Sequence, residues 1–326
     1  MEDKKSQAVK SKPIAIGMAF ALLAILPQIL GPGDLSLVNE MLILGVAASG
    51  LNLMMGYAGM VSFGPAGLYV VGAYTMALLL FYTELPFGIA LVAAPVIAGI
   101  VSLVVGWFCV RLTHVYFSLL TLAFSQIIHT IIFEWYGFTK GDDGIVDIRV
   151  PGFIDSITNY YYFTLIIAGI SLALIWMIVK SPFGKTLQAI RENPDRTEFI
   201  GIHVRSYQLA AFVLSGVFLG VAGALYCGFS HSVFPDFGDI MKSTEILVVC
   251  LLGGIYHFLG PMVGAVVYMF LDKTISSYTE YWPLVLGVVI VLLVIFLRGG
   301  IVGFVTEKIA MAKQRKTAEA EDYVSS

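Results

Sequence analysis

The chain of 326 residues is 58% hydrophobic and 13% charged, and its formal net charge is −3. A soluble domain is about half apolar and about a quarter charged, so the composition excludes an ordinary soluble protein. The apolar runs are continuous, whereas a membrane β-barrel would show alternating segments of about ten residues. The composition therefore predicts an all-α polytopic membrane protein.

Continuous apolar runs predict eight to ten transmembrane helices. The first run follows a basic N-terminus, is longer than a typical signal-peptide core and has no cleavage site after it, so we interpret it as a span. The candidate spans are 14–30, 37–55, 62–82, 87–110, 115–134, 160–179, 207–229, 243–256, 261–279 and 282–297.

The basic residues predict how these spans are oriented. With ten spans and a cytoplasmic N-terminus, 15 Lys and Arg residues lie inside, and four lie outside, as the positive-inside rule requires. The charged segment 181–206 is then a cytoplasmic loop, and 307–326 is a cytoplasmic polar tail. The acidic segment 135–159 is the longest outer loop, either simply solvated or in contact with an extracellular partner.

Two glycine-rich segments interrupt the apolar pattern. The first glycine break is 56–67 and the second is 253–265, and each contains a Gly-Pro pair. Proline breaks a helix, and backbone groups freed in hydrocarbon need protein or water as partners. Such breaks often mark a translocation route, but small residues also allow close helix packing. Both interpretations stay open from the sequence.

The predicted span 115–134 is the most polar. Its hydroxyl and imidazole side chains recur at spacings of three and four and so share one helical face. They are Ser118, Thr121, Ser125 and His129, with Gln126 beside them. This polar stripe either lines a path or forms hydrogen bonds to another helix. Asn52, in the second predicted span, is a similar but isolated case.

The sequence contains no recognisable catalytic, nucleotide or metal site. The segment 183–186 ends like a P-loop, but Val179 stands where the first glycine is required. Three scattered cysteines form neither a disulfide framework nor a metal motif. Acidic residues fall mostly at predicted span ends or in loops, which argues against proton coupling. They are Glu40, Glu84, Glu134, Glu245 and Asp272. We therefore expect no enzymatic activity and no cofactor in this chain, with any ATP hydrolysed by another.

Three longer blocks of sequence form a recognisable set. They are GLNLMMGYAGMVSFGPAGLYVVGAYTMALL at 50–79, FTKGDDGI at 138–145, and GKTLQAIRENPDRTEFIGIHVRSYQLAAFVLSGVFLGVAGALY at 184–226. Together they resemble the permease subunits of bacterial high-affinity branched-chain amino-acid ABC importers. The segments GGIYHFLGPMVGAVV and LRGGIVG are also similar to that family. Lys140 departs from the pattern, because it stands where the family has glycine.

The resemblance implies the ABC importer permease fold in a bacterial or archaeal cytoplasmic membrane, with residues 1–306 as the permease domain. It implies a second homologous permease, two cytoplasmic ATPase subunits that hold the ATP, and an extracytoplasmic solute-binding protein as partners. The lipid bilayer is the remaining partner, and nucleic acid is not expected. A short helix within 186–201 would contact the ATPases, and a glycine would end it. The expected coupling residues are Arg191, Glu192, Asn193, Asp195, Arg196, Glu198 and Gly201.

A path with polar groups but no permanent charge suits a zwitterionic or neutral solute. Together with the resemblance, this predicts inward transport of branched-chain or other hydrophobic amino acids. The expected path residues are Asn52, Ser62, Gly64, Pro65, Ser118, Thr121, Ser125, Gln126 and His129. Urea, short amides or another small organic solute are alternatives for the same importer class. An ATP-independent facilitator or channel, or a membrane scaffold, is the alternative for the function.

Overall fold

The computed structural model describes residues 23, 26–28, 30–83, 85–297, 299–308 and 311. The first predicted span, 14–30, and the predicted tail, 307–326, lie mostly outside these residues. Six described helices are long and apolar enough to cross a membrane. They are α1 (Pro32–Asn52, continued by a π-helix, Leu53–Tyr57), α2 (Pro65–Tyr82), α3 (Phe87–Cys109), α4 (His114–Glu134), α6 (Ile157–Lys180) and α9 (Val204–Ser230).

Three shorter helices account for the remaining predicted spans from residue 37 onward. They are α10 (Ile240–Gly253), α11 (Gly260–Ser276) and α12 (Trp282–Phe296). At 1.5 Å per residue α10 is about 21 Å long, which is less than the hydrocarbon thickness of about 30 Å. The connections contain α5 (Tyr136–Thr139), α7 (Pro182–Glu192) and α8 (Pro194–Phe199). The polytopic all-α fold is thus confirmed, with six full-length helices among the described residues.

Proline begins several of these helices rather than kinking them. Pro65 is the first residue of α2 and follows Gly64 directly, and Pro261 stands in the first turn of α11. The first helical position needs no backbone N–H donor, so proline is tolerated there. The Gly-Pro pairs of both glycine breaks therefore start helices.

Helix α9 lies at the centre of the bundle, against α1, α2 and α3. Small residues let the backbones approach closely: a methyl group at Gly72 would collide with Gly220, and one at Gly223 would collide with the Tyr69 carbonyl. This is the small-residue packing expected where lipid provides no hydrophobic drive between helices.

The bundle has two distinct ends. One end, the loop end, carries α7 and α8, from which α9 runs to the opposite end. That opposite end, the β end, carries α5 and a short antiparallel pair of strands, β1 (Ile145–Val146) and β2 (Ser232–Val233). Helix α1 runs the other way, since its π-helical end contacts α7.

Candidate coupling site and solute path

The two glycine breaks, about 200 residues apart in sequence, are packed against each other. A methyl group at Gly56, in the π-helical end of α1, would collide with the carbonyl of Ile255, in the turn between α10 and α11. That turn begins at Gly254, whose φ of +109° lies in the region that favours glycine. The breaks therefore form one contact region, where glycine permits the close approach of two backbones.

Arg191 joins the loop end to this contact region. Its Nη1 donates a hydrogen bond of 2.6 Å to the Gly56 carbonyl oxygen, in the first break. Its guanidinium carbon lies 5.1 Å from the centre of the Tyr256 ring, in the second. We expected Arg191 on an exposed docking surface, but its side chain is part-buried and turned into the bundle. The charged residues around Arg191 in the sequence did not reveal that its side chain points into the bundle.

Helix α7 is fixed to the membrane helices. Leu187 and Ile190 are buried on its inner face, and Phe183 stacks on Tyr207 of α9 with ring centres 5.5 Å apart. The Ser181 hydroxyl caps the start of the helix by accepting a hydrogen bond from the backbone N–H of Gly184. A force applied to α7 would thus reach the bundle through packed side chains as well as through Arg191.

The structure has two helices where one short helix was predicted within 186–201: α7 ends at Glu192, and α8 lies wholly within that range. The Asn193 side chain caps the start of α8, because Oδ1 accepts from the Arg196 N–H at 2.9 Å. Gly201, with a φ of +91°, follows its end as predicted. The other predicted coupling residues are exposed; they are Glu192, Asn193, Asp195, Arg196 and Glu198. An apolar pair beside them, Phe199 and Ile200, is 91% and 73% exposed.

The polar stripe of α4 holds the first glycine break. Ser118 donates a hydrogen bond of 2.5 Å to the Val61 carbonyl, and Thr121 accepts one of 3.3 Å from the Phe63 N–H. These hydroxyls satisfy backbone groups freed where α1 ends and before α2 begins. A methyl group at Gly64 would collide with the Thr121 carbonyl, so the two segments are in direct contact. The geometry favours the hydrogen-bonding interpretation for these two hydroxyls.

The other predicted path residues divide between two places. Ser62, which accepts from the Gly64 N–H at 3.3 Å, and Pro65 lie in the same break. Gly64 and Gly67 of this break face the buried Ser125. Asn52 lies instead at the π-helical end of α1, where its amide oxygen is 3.6 Å from the Cys250 sulfur. Farther along α4, Gln126 has a buried amide nitrogen with no hydrogen-bond partner among the described residues. His129 stacks on Phe133, with ring centres 6.2 Å apart.

A charged cavity of about 220 Å³ lies between helices near the β end and was missed by sequence reasoning. Its polar lining is Glu40, Tyr69, Tyr226, Lys242, Glu245, Tyr268 and Asp272. The expectation that acidic residues sit at span ends does not hold for Glu40. Helix α1 begins at Pro32, so Glu40 lies about 12 Å along its axis. A sequence signal for it was the spacing of three between Lys242 and Glu245, where the predicted span 243–256 begins.

The conformation of the loop after α4 explains why the similar family has glycine where this chain has Lys140. This residue follows α5 with a φ of +67°, a left-handed conformation that glycine adopts without cost. The Tyr136 hydroxyl donates a hydrogen bond of 2.7 Å to the Asp143 carboxylate, which raises the pKa of Tyr136. The acidic loop therefore has a defined backbone at the β end.

Broken membrane helices joined to an exposed helical loop are the arrangement expected of a polytopic transport subunit. The chain belongs to the family of permease components of branched-chain amino acid transport systems, whose model matches residues 35–297. It is thus a multi-pass permease of the ABC transporter class in the cytoplasmic membrane.

Named relatives carry different solutes. The chain is 26% identical to the high-affinity branched-chain amino acid permease LivM of Escherichia coli K12, over 83% of this chain and 70% of LivM. It is 26% identical to the guanosine permease NupQ of Bacillus subtilis 168, over 70% of this chain and 76% of NupQ. It is 24% identical to the galactose permease MglC of Escherichia coli K12, over 64% of this chain and 66% of MglC. No solved structure matches the chain.

Proposed function

We propose that this chain is the permease of an ATP-driven importer that moves branched-chain and other hydrophobic amino acids into the cell. The similarity to LivM carries the proposal, because it extends over 83% of this chain. Residues 1–306 form the permease domain, and 307–326 form a cytoplasmic polar tail. ATP is held by partner subunits, and this chain carries no cofactor of its own.

Two cytoplasmic ATPase subunits bind the short helices of the two permeases, and in this chain that contact lies in the loop 181–206. The exposed charges of α8 and the adjacent Phe199 and Ile200 support this role, since an apolar pair in a charged surround suits a protein partner. Arg191 lies between these exposed residues and the membrane helices. Its bond to Gly56 supports a role in passing movement of the loop to the glycine breaks.

The remaining partners contact other surfaces. A second homologous permease and the lipid bilayer share the exposed apolar faces, such as Val92, Val96 and Ile100 on α3. An extracytoplasmic solute-binding protein delivers the solute at the β end. This orientation follows from the predicted distribution of basic residues.

The solute path runs beside the first glycine break. Ser118 and Thr121 hold the break in shape, and Ser62, Gly64, Pro65 and Ser125 lie with them. Asn52 borders the contact between the two breaks. Gln126 and His129 extend the polar surface along α4. A route of this kind has backbone dipoles and hydroxyl groups that suit a solute without net charge.

A second candidate solute class follows from the relatives named for guanosine and galactose. An importer of a nucleoside or sugar would share the fold and the coupling loop. Urea, short amides and ATP-independent passage remain further alternatives.

Solute competition distinguishes these candidates. The permease pair, the ATPases and the binding protein are reconstituted into vesicles, and uptake of labelled leucine is measured with unlabelled isoleucine, valine, guanosine, galactose or urea in excess. We expect isoleucine and valine to suppress leucine uptake and the other three solutes to leave it unchanged. No leucine uptake, together with uptake of labelled guanosine, galactose or urea, would refute the amino-acid assignment.

A further inference from the structure

The charged cavity near the β end contains more negative than positive groups. Lys242 and Glu245 form an ion pair of 2.8 Å, and their side chains are only 21% and 20% exposed. Glu40 and Asp272 line the same cavity, and neither forms an ion pair with another described residue. One carboxylate is thus neutralised by Lys242 and two are left. Carboxylates away from water are costly unless a cation compensates them.

One polar atom of the cavity lacks a partner. Oxygen Oδ1 of Asp272 is buried and has no hydrogen-bond partner in the described part of the chain. Tyr69, which is 1% exposed, lies in the same wall. Buried polar groups are nearly always hydrogen-bonded, so the unpartnered carboxylate oxygen indicates a missing donor.

The walls also suit a cation with an apolar part. Tyr69, Tyr226, Tyr268 and Trp282 supply aromatic rings, whose faces attract cations. Lys242 already demonstrates this preference, with its ammonium 5.4 Å from the centre of the Tyr226 ring. Aliphatic side chains complete the lining; they are Ile43, Leu44 and Met269.

The size of the cavity identifies the class of cation. No group of His, Cys, Asp or Glu in the described ranges is placed to hold a metal ion. The volume of about 220 Å³ is several times the roughly 30 Å³ that one water takes up in the liquid. A small organic molecule fits this space better than a bare ion.

We propose that this cavity binds the ammonium group of a small aliphatic solute, with Glu40 and Asp272 as the charge partners and the tyrosine rings around it. A bound primary ammonium would give Asp272 a hydrogen-bond donor and offset the unpaired charge. The inference deepens the proposed function and in that respect rests on it, because the proposed amino acids carry such a group.

Three probes of similar size show which chemical group of the solute the cavity recognises. Leucine carries an ammonium and a carboxylate, 3-methylbutylamine carries only the ammonium, and 4-methylpentanoate carries only the carboxylate. Each is titrated calorimetrically into the full chain in lipid nanodiscs. We expect leucine and the amine to bind and the carboxylate not to bind. Failure of the amine to bind, equal binding of the carboxylate, or displacement of the amine by equimolar sodium ions would overturn the proposal.

Matched amide variants locate the site. Because one charge-assisted contact is lost, Glu40→Gln and Asp272→Asn should each weaken amine binding about tenfold or more. Asp34→Asn is the control, since Asp34 lies on the same helix as Glu40 but pairs with Lys273 at the surface. Equal effects of Asp272→Asn and Asp34→Asn would overturn the location.

Failure of this inference is distinguishable from failure of the proposed function. Leucine uptake by the complete importer without amine binding to this chain would refute the binding site in the cavity but not the proposed amino-acid import. Amine binding to this chain without leucine uptake by the complete importer would support the binding site in the cavity but refute amino-acid import.

Discussion

Arg191 provides a direct test of how the loop is joined to the membrane helices. Replacing Arg191 by alanine removes the 2.6 Å hydrogen bond to Gly56 and the contact with the Tyr256 ring. A hydrogen bond from a charged group contributes about 1.5–3 kcal/mol, and the ring adds about 0.5–1 kcal/mol at an exposed site. Because Tyr256 is 60% exposed, we expect a net loss of about 2 kcal/mol in this contact.

The loss should appear as poor coupling rather than as poor assembly. The exposed surface of α8 is unchanged in the variant, so the ATPases should still be stimulated. A contact weakened by about 2 kcal/mol changes the balance between joined and separated states by about thirtyfold. We therefore expect leucine uptake per ATP hydrolysed to fall about tenfold or more, measured in vesicles with both rates followed together.

Two variants serve as controls. Arg191→Lys keeps the charge but not the planar fork and should lie between wild type and alanine. Arg196→Ala removes an exposed arginine of α8 and should lower uptake and hydrolysis in the same proportion. If Arg191→Ala also lowers both rates in the same proportion, Arg191 acts only as a surface charge and the link to Gly56 has no mechanical role.

Three further predictions concern orientation and packing. With the native cysteines replaced, Asn193→Cys should react with impermeant reagents only from the cytoplasm and Asp143→Cys only from outside; the reverse would contradict the span order. Lys140→Gly should raise the free energy of unfolding by about 1 kcal/mol, because it removes a left-handed non-glycine residue, and an unchanged or lower melting temperature would argue against that strain. Thr121→Val should lower stability by about 1–3 kcal/mol, since the Phe63 N–H loses its acceptor. The exposed Thr130→Val on the same helix is the control, and equal melting temperatures for the two variants would show that the hydroxyl does not hold the break.

Helix positions were largely predictable from the sequence, because a span in lipid requires a long apolar run with internally paired backbone groups. The end of the short loop helix was also predictable, since Gly201 adopts a positive φ that other residues avoid. These features depend on residues within a few positions of each other. Local physical chemistry is enough to place them.

Contacts between distant segments were not predictable in the same way. Arg191 looked exposed because its neighbours are charged, yet its partner Gly56 is 135 residues away. The charged cavity joins Glu40 from α1 with Lys242 and Asp272 from two other helices. No single helix pattern reveals that these ends meet. Only the packing of short helices α10 and α11 against α1 brings them together.

The dependence of uptake on ATP tests the proposed import mechanism most directly. Vesicles holding the complete importer and its binding protein are loaded with ATP or with a non-hydrolysable analogue, and labelled leucine is followed over time. We predict accumulation above the outside concentration with ATP and none with the analogue. Equilibration of leucine to the outside level at the same rate in both preparations would contradict an ATP-driven permease and favour a facilitator.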